Sequence, residues 1–131
     1  MELFGKIFGT HSKTVPALVA QSLVSHFADA AGVEWTMSGN TWEAIFYHRN
    51  VEKIARFDTS GMLTEYRVNV APHEIPSPIL EAVSGKWEIM NCIAIYTSDK
   101  LSYELIVRDP ALVRYQLWLD SLGNNLRLDK L

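Results

Sequence analysis

Three segments of this chain occur twice, in the same order and at nearly constant separation. Val15-Pro16-Ala17-Leu18-Val19 returns as Ile75-Pro76-Ser77-Pro78-Ile79. Trp42-Glu43-Ala44-Ile45-Phe46 returns as Tyr103-Glu104-Leu105-Ile106-Val107, and Phe57-Asp58-Thr59-Ser60-Gly61 as Leu119-Asp120-Ser121-Leu122-Gly123. The separation drifts only from 60 to 62 residues, so one supersecondary unit is used twice. A chain of 131 residues suits one hydrophobic core, and the two copies are expected to share a single domain. That domain spans 14–131, with repeat one at 14–70 and repeat two at 71–131, after an N-terminal segment at 1–13.

The periodicity inside each copy changes from helical to extended. From Thr14, a candidate cap, Val15, Leu18, Val19, Leu23, Phe27 and Ala30 recur at helical spacing, and Gly32 is expected to close that helix. Alternation of period two then marks strands over Val33 to Met37, Thr41 to Tyr47, Glu52 to Asp58 and Leu63 to Val70. The second copy opens on a proline-rich stretch that leads into a short helix over Pro78 to Ser84, closed by Gly85. Strands follow over Glu88 to Thr97, Leu101 to Arg108, Val113 to Asp120 and Asn125 to Asp129. Trp42, Ala44, Phe46, Ala55 and Phe57 form the inward set of copy one; Tyr103, Leu105, Val107, Tyr115, Leu117 and Leu119 form that of copy two. The fold class is therefore α+β: two α-β-β-β-β repeats forming one antiparallel sheet of about eight strands, with both helices packed on one face. The apolar positions Leu3, Phe4, Ile7 and Phe8 allow a short amphipathic helix ahead of this unit.

Function is bounded mainly by exclusion. A hydrophobic content of 48% excludes a disordered tail, and a net charge of −3 without clustered Lys or Arg argues against nucleic acid. Cys92 stands alone in an apolar run, so it reads as a buried thiol rather than a nucleophile. His11, His26, His48 and His73 fall in no ligand spacing, and no phosphate loop, nucleophile elbow or dinucleotide fingerprint occurs. Asp58 and Asp120 resemble a carboxylate pair, yet each lies three residues before a glycine, where an Asp side chain serves turn amides. The expectation is a protein that is not an enzyme, with no catalytic residue, no metal and no cofactor. No signal peptide or membrane span is apparent, which places the chain as given in the cytoplasm.

Alternation leaves a second sheet face bearing Glu43, Ile45, Tyr47, Ile54, Arg56, Glu104, Ile106, Arg108, Gln116 and Trp118. Large apolar groups rimmed by charge fit a binding surface for a protein or peptide, centred on Ile45, Tyr47, Ile54, Arg56, Ile106, Arg108 and Trp118. The competing readings are scattered surface apolar groups, cover by the N-terminal segment, or a small apolar or peptide ligand held between helix and sheet.

Trp-Glu-Ala-Ile-Phe at 42–46, Ala-Arg-Phe-Asp-Thr-Ser-Gly at 55–61, Ile-Pro-Ser-Pro-Ile-Leu-Glu-Ala-Val at 75–83, Tyr-Glu-Leu-Ile-Val at 103–107 and Leu-Asp-Ser-Leu-Gly at 119–123 carry a resemblance. In that order and spacing, the chain resembles the PepSY-like family of bacterial proteins. Their tandem helix-plus-four-strand units are similar in fold to beta-lactamase inhibitor proteins. The resemblance implies a non-enzymatic module, commonly periplasmic or secreted, that binds a partner or inhibits a peptidase.

Overall fold

The computed structural model describes residues 14–131; the helical expectation at Leu3, Phe4, Ile7 and Phe8 lies outside them. Two helices, α1 (Ala17–His26) and α2 (Ser77–Val83), accompany eight strands. These are β1 (Ala31–Ser38), β2 (Thr41–His48), β3 (Val51–Phe57), β4 (Leu63–Asn69), β5 (Glu88–Thr97), β6 (Leu101–Arg108), β7 (Arg114–Asp120) and β8 (Asn125–Lys130). They form one antiparallel sheet in chain order, and a 3₁₀ turn at Pro72–Glu74 precedes α2. The chain divides into two compact units, one ending at Val68 and the other beginning at Asn69.

In the first unit, α1 turns Val19 and Leu23 onto the sheet, and Phe27 follows from just past its C-terminus. They meet Trp42, Ala44 and Phe46 of β2 and Ala55 and Phe57 of β3, all buried. The spacing of four places Val19 and Leu23 on one helical face, and the alternation of β2 and β3 supplies the opposing surface. Phe27 sits against the rings of Phe46 and Tyr66, with centroids at 5.0 and 5.2 Å. In the second unit, Ile79 and Val83 of α2 are buried, as are Cys92 and Ala94 of β5, Tyr103, Leu105 and Val107 of β6, and Leu117 and Leu119 of β7. Tyr115 is only half-buried.

The start and end of the first helix differ from the expectation. Pro16, not Thr14, occupies the N-cap, with no side-chain cap, and Leu18 is 63% exposed instead of joining the buried stripe. The helix stops at His26, six residues before Gly32, because Phe27 leaves the helix to enter the core. Gly32 lies within β1 at φ +62°, where the register slips between Ala31 and Glu34. A left-handed glycine opening a bulge explains its presence there.

Three turns repeat one construction. Asp58 donates its backbone N–H to the Met62 carbonyl and accepts the Gly61 N–H at its own carbonyl, while its carboxylate accepts the Met62 N–H at 3.0 Å. Asp109 does the same with Val113 and Leu112, and Asp120 with Asn124 and Gly123. The third residue after each Asp has a positive φ: Gly61 at 90°, Leu112 at 66° and Gly123 at 88°. At Gly61 and Gly123 a second reason favours glycine. A Cβ on Gly61 would lie 2.9 Å from the Leu18 carbonyl oxygen, and one on Gly123 would lie 2.5 Å from that of Pro78. Each glycine thus lets its turn close over the first turn of its own unit's helix.

Candidate binding face

The residues that resemble catalytic groups are absorbed by the architecture. Ser60 donates both its hydroxyl and its N–H to Asp58 Oδ1, at 2.6 and 2.9 Å, which together with the Met62 N–H holds that carboxyl below its usual range. The Asn124 side-chain amide and N–H do the same for Asp120. Burial pushes the Cys92 thiol up to about 11, so it stays protonated and unreactive near neutrality. Among the described residues, no group of three or more His, Cys, Asp and Glu could hold a metal ion. No helix among them is long and apolar enough to cross a membrane.

The face opposite α1 in the first unit is built from cross-strand rows. Glu43, Arg56 and Glu65 lie side by side on β2, β3 and β4. Arg56 donates to Glu43 at 2.7 Å and to Glu65 at 3.0 Å, and Arg67 donates to Glu65 at 2.9 Å. This ladder satisfies its charges internally. The next row pairs Ile45 with Ile54 and Arg67, and Tyr47 pairs with Glu52. Tyr47 is 45% exposed and Ile45 half-buried, but Ile54 is only 4% exposed. Ile54 therefore points to this face without being open to a partner, because it is flanked by Ile45 and Arg67 across both neighbouring strands.

The equivalent rows of the second unit hold different chemistry. Glu104, Trp118 and Arg127 stand where the first unit has Glu43, Arg56 and Glu65. The Trp118 indole N–H donates to Glu104 at 3.0 Å, Gln116 donates to the same oxygen at 3.0 Å, and the Arg127 guanidinium lies 4.9 Å from the indole ring centre. Arg127 also pairs with Asp129 at 2.7 Å. Ile106 is half-buried between Asn91 and Gln116, and Arg108 gives two bonds to Glu88, at 2.6 and 3.0 Å. Ile45, Tyr47, Ile54 and Arg56 thus share a face in one unit, and Ile106, Arg108 and Trp118 share one in the other. An open notch of ≈ 320 Å³ lies beside Arg108, lined by Lys86 and Trp87 on the α2–β5 connection, by Glu88 at the start of β5 and by Asp109, Pro110 and Leu112 on the β6–β7 turn. It sits at the strand ends, not between helix and sheet.

Sequence reasoning passed over Arg114, Arg127 and Leu112. Arg127 and Arg114 carry no local motif; only the register shows which side chains they oppose. Leu112 occupies a slot whose usual marker is glycine, so the Asp-x-x-Gly signal was missing.

Neither a family model nor a curated protein matches this sequence. Solved structures do match in fold. A predicted periplasmic protein of Bacteroides eggerthii superposes with a TM-score of 0.80 at 17% identity, covering 90% of each chain. A DUF2874 family protein of Bacteroides uniformis gives 0.80 at 18% identity over 89% of this chain and 90% of the other. A BLIP-like protein of Bacteroides fragilis gives 0.75 at 13% identity over 98% of this chain and 90% of the other. At these identities the likeness is one of fold: the chain has the BLIP-like architecture.

Proposed function

We propose that this protein is a non-enzymatic binding module that recognises a protein or peptide through the sheet faces turned away from the helices. The observation that carries this reading is the setting of Trp118. Trp118 is half-buried, its N–H bonded to Glu104 and its ring lying under the Arg127 guanidinium, so the indole and guanidinium together form a pre-ordered patch that a partner can contact at small further entropic cost. Tyr47, Ile45 and Arg56 would contribute in the first unit, and Ile106 and Arg108 beside Trp118 in the second, with Ile54 supporting from beneath. An inhibitor-like role and a PepSY-like ancestry belong to this reading, as does a periplasmic or secreted location, which the resemblance implies and the B. eggerthii neighbour favours.

Pull-down from a native extract with the wild type and with Trp118→Ala tests it. Loss of an aromatic anchor should weaken capture by about 1 to 4 kcal/mol in binding free energy. Capture is measured at a temperature where unfolding curves show the variant still folded, since the lost Glu104 and Arg127 contacts also lower stability by about 1 to 2 kcal/mol. A partner retained with equal affinity by Trp118→Ala and by the Tyr47→Ala, Trp118→Ala double variant rejects the face. The notch beside Arg108 favours a second reading, a small ligand. Native mass spectrometry that recovers a bound small molecule and no protein partner would select it.

A further inference from the structure

The row at the end of the second unit's outer face contains a charge arrangement that the fold itself does not need. Register places Arg108 directly opposite Arg114, and Glu88 directly opposite Arg108 on its other side. Like charges facing each other across a strand pair are destabilising. Glu88 compensates Arg108 with two hydrogen bonds, but Arg114 is exposed and forms no ion pair among the described residues. The nearby acid in the turn is also committed. One oxygen of Asp109 accepts the Val113 N–H at 2.9 Å, and the other accepts the Tyr115 hydroxyl at 3.4 Å. Lys86, on the rim of the adjoining notch, likewise lacks an ion pair among the described residues. The notch itself is lined by Lys86 and Arg108 with the committed carboxylates of Glu88 and Asp109, leaving Arg114 beside it as an uncompensated cation. It offers apolar surface from half-buried Trp87 and from Leu112, which is 67% exposed in a left-handed conformation that leucine disfavours.

We propose that Arg108 and Arg114, with the adjoining notch, form the recognition point for an acidic protein segment in which carboxylates alternate with apolar side chains. The inference deepens the protein-binding reading and rests on it. A carboxylate from the partner pairs with the Arg114 guanidinium and reaches the edge of Arg108 that Glu88 leaves unengaged, because arginine presents a planar fork of donors suited to carboxylate oxygens. A neighbouring apolar side chain of the partner covers Trp87 and Leu112. Charge complementarity sets the chemistry of the occupant: a neutral or basic segment would leave Arg114 desolvated and unpaired.

The experiment titrates the full-length, isotope-labelled protein with a blocked hexapeptide alternating glutamate and leucine, followed by amide chemical shifts. The glutamine–leucine counterpart and free glutarate serve as controls. Saturable shifts are expected along the strands carrying Arg108 and Arg114, weakening as salt is raised. Arg114→Gln should lower affinity about tenfold or more, and Arg114→Lys should restore part of it. Because Arg114 is exposed and faces a like charge, Arg114→Gln should fold at least as stably as the wild type, so a loss of binding cannot be assigned to unfolding. Equal binding of the glutamine peptide, unchanged affinity of Arg114→Gln, absence of saturable binding, or glutarate binding as tightly as the peptide would each overturn the proposal. The protein-binding reading is judged separately: if Trp118→Ala abolishes capture of a partner while Arg114→Gln leaves peptide binding unchanged, the acidic preference falls and the face remains.

Discussion

Glycine at 123 illustrates how one residue couples turn conformation to helix packing. Its φ of +88° disfavours any side chain, and an added Cβ would press within 2.5 Å of the Pro78 carbonyl oxygen, a backbone atom that cannot rotate away. Gly85 has a similar φ of +75° but open space around it. Gly123→Ala should therefore cost about 2 to 3 kcal/mol, against about 1 kcal/mol for Gly85→Ala, where only the backbone conformation is penalised. Denaturant unfolding of both variants measures the difference. Equal losses would mean that the turn does not press on α2. At this scale the sequence was informative: Asp58 and Asp120 with their following glycines were legible as turns because the residue types required by the geometry are few.

At the scale of elements, β6 and β7 were legible from alternation alone, and the inward side chains fall where period two places them. The turn between them was not fully legible. Asp109 builds the same hydrogen-bonded loop as Asp58 and Asp120, yet Leu112 stands at the left-handed position. Leucine there costs roughly 1 to 2 kcal/mol of backbone strain, while glycine would return some of that through a freer unfolded chain. Since Leu112 buries little surface, Leu112→Gly is expected to leave stability unchanged or raise it by up to about 1 kcal/mol, read from thermal unfolding. A loss of more than about 0.5 kcal/mol would show instead that the side chain makes stabilising native contacts. The first helix ends earlier than its periodicity predicts for a related reason. Helical spacing continued through Phe27 and Ala30, but the demand that Phe27 reach Phe46 and Tyr66 ended the helix at His26.

For the whole molecule, we propose that the two repeats fold as one cooperative domain. Each copy alone has about 60 residues, a size at which a chain buries only roughly 60% of its unfolded surface and is marginally stable. Calorimetry of the intact protein should show one transition, and separately expressed fragments 1–70 and 71–131 should show none. Two fragments that each unfold cooperatively would make the compact units independent domains. The sequence by itself determined the repeat, the α+β class and the strand order within each copy, because these follow from periodicity and from residue types with few conformational options. The tertiary structure alone decided which outward residues stand together. Register put Arg108 opposite Arg114 and Trp118 between Glu104 and Arg127, and it closed Ile54 off from solvent. Those neighbours come from different strands, and no local pattern along the chain encodes the pairing that brings them within reach.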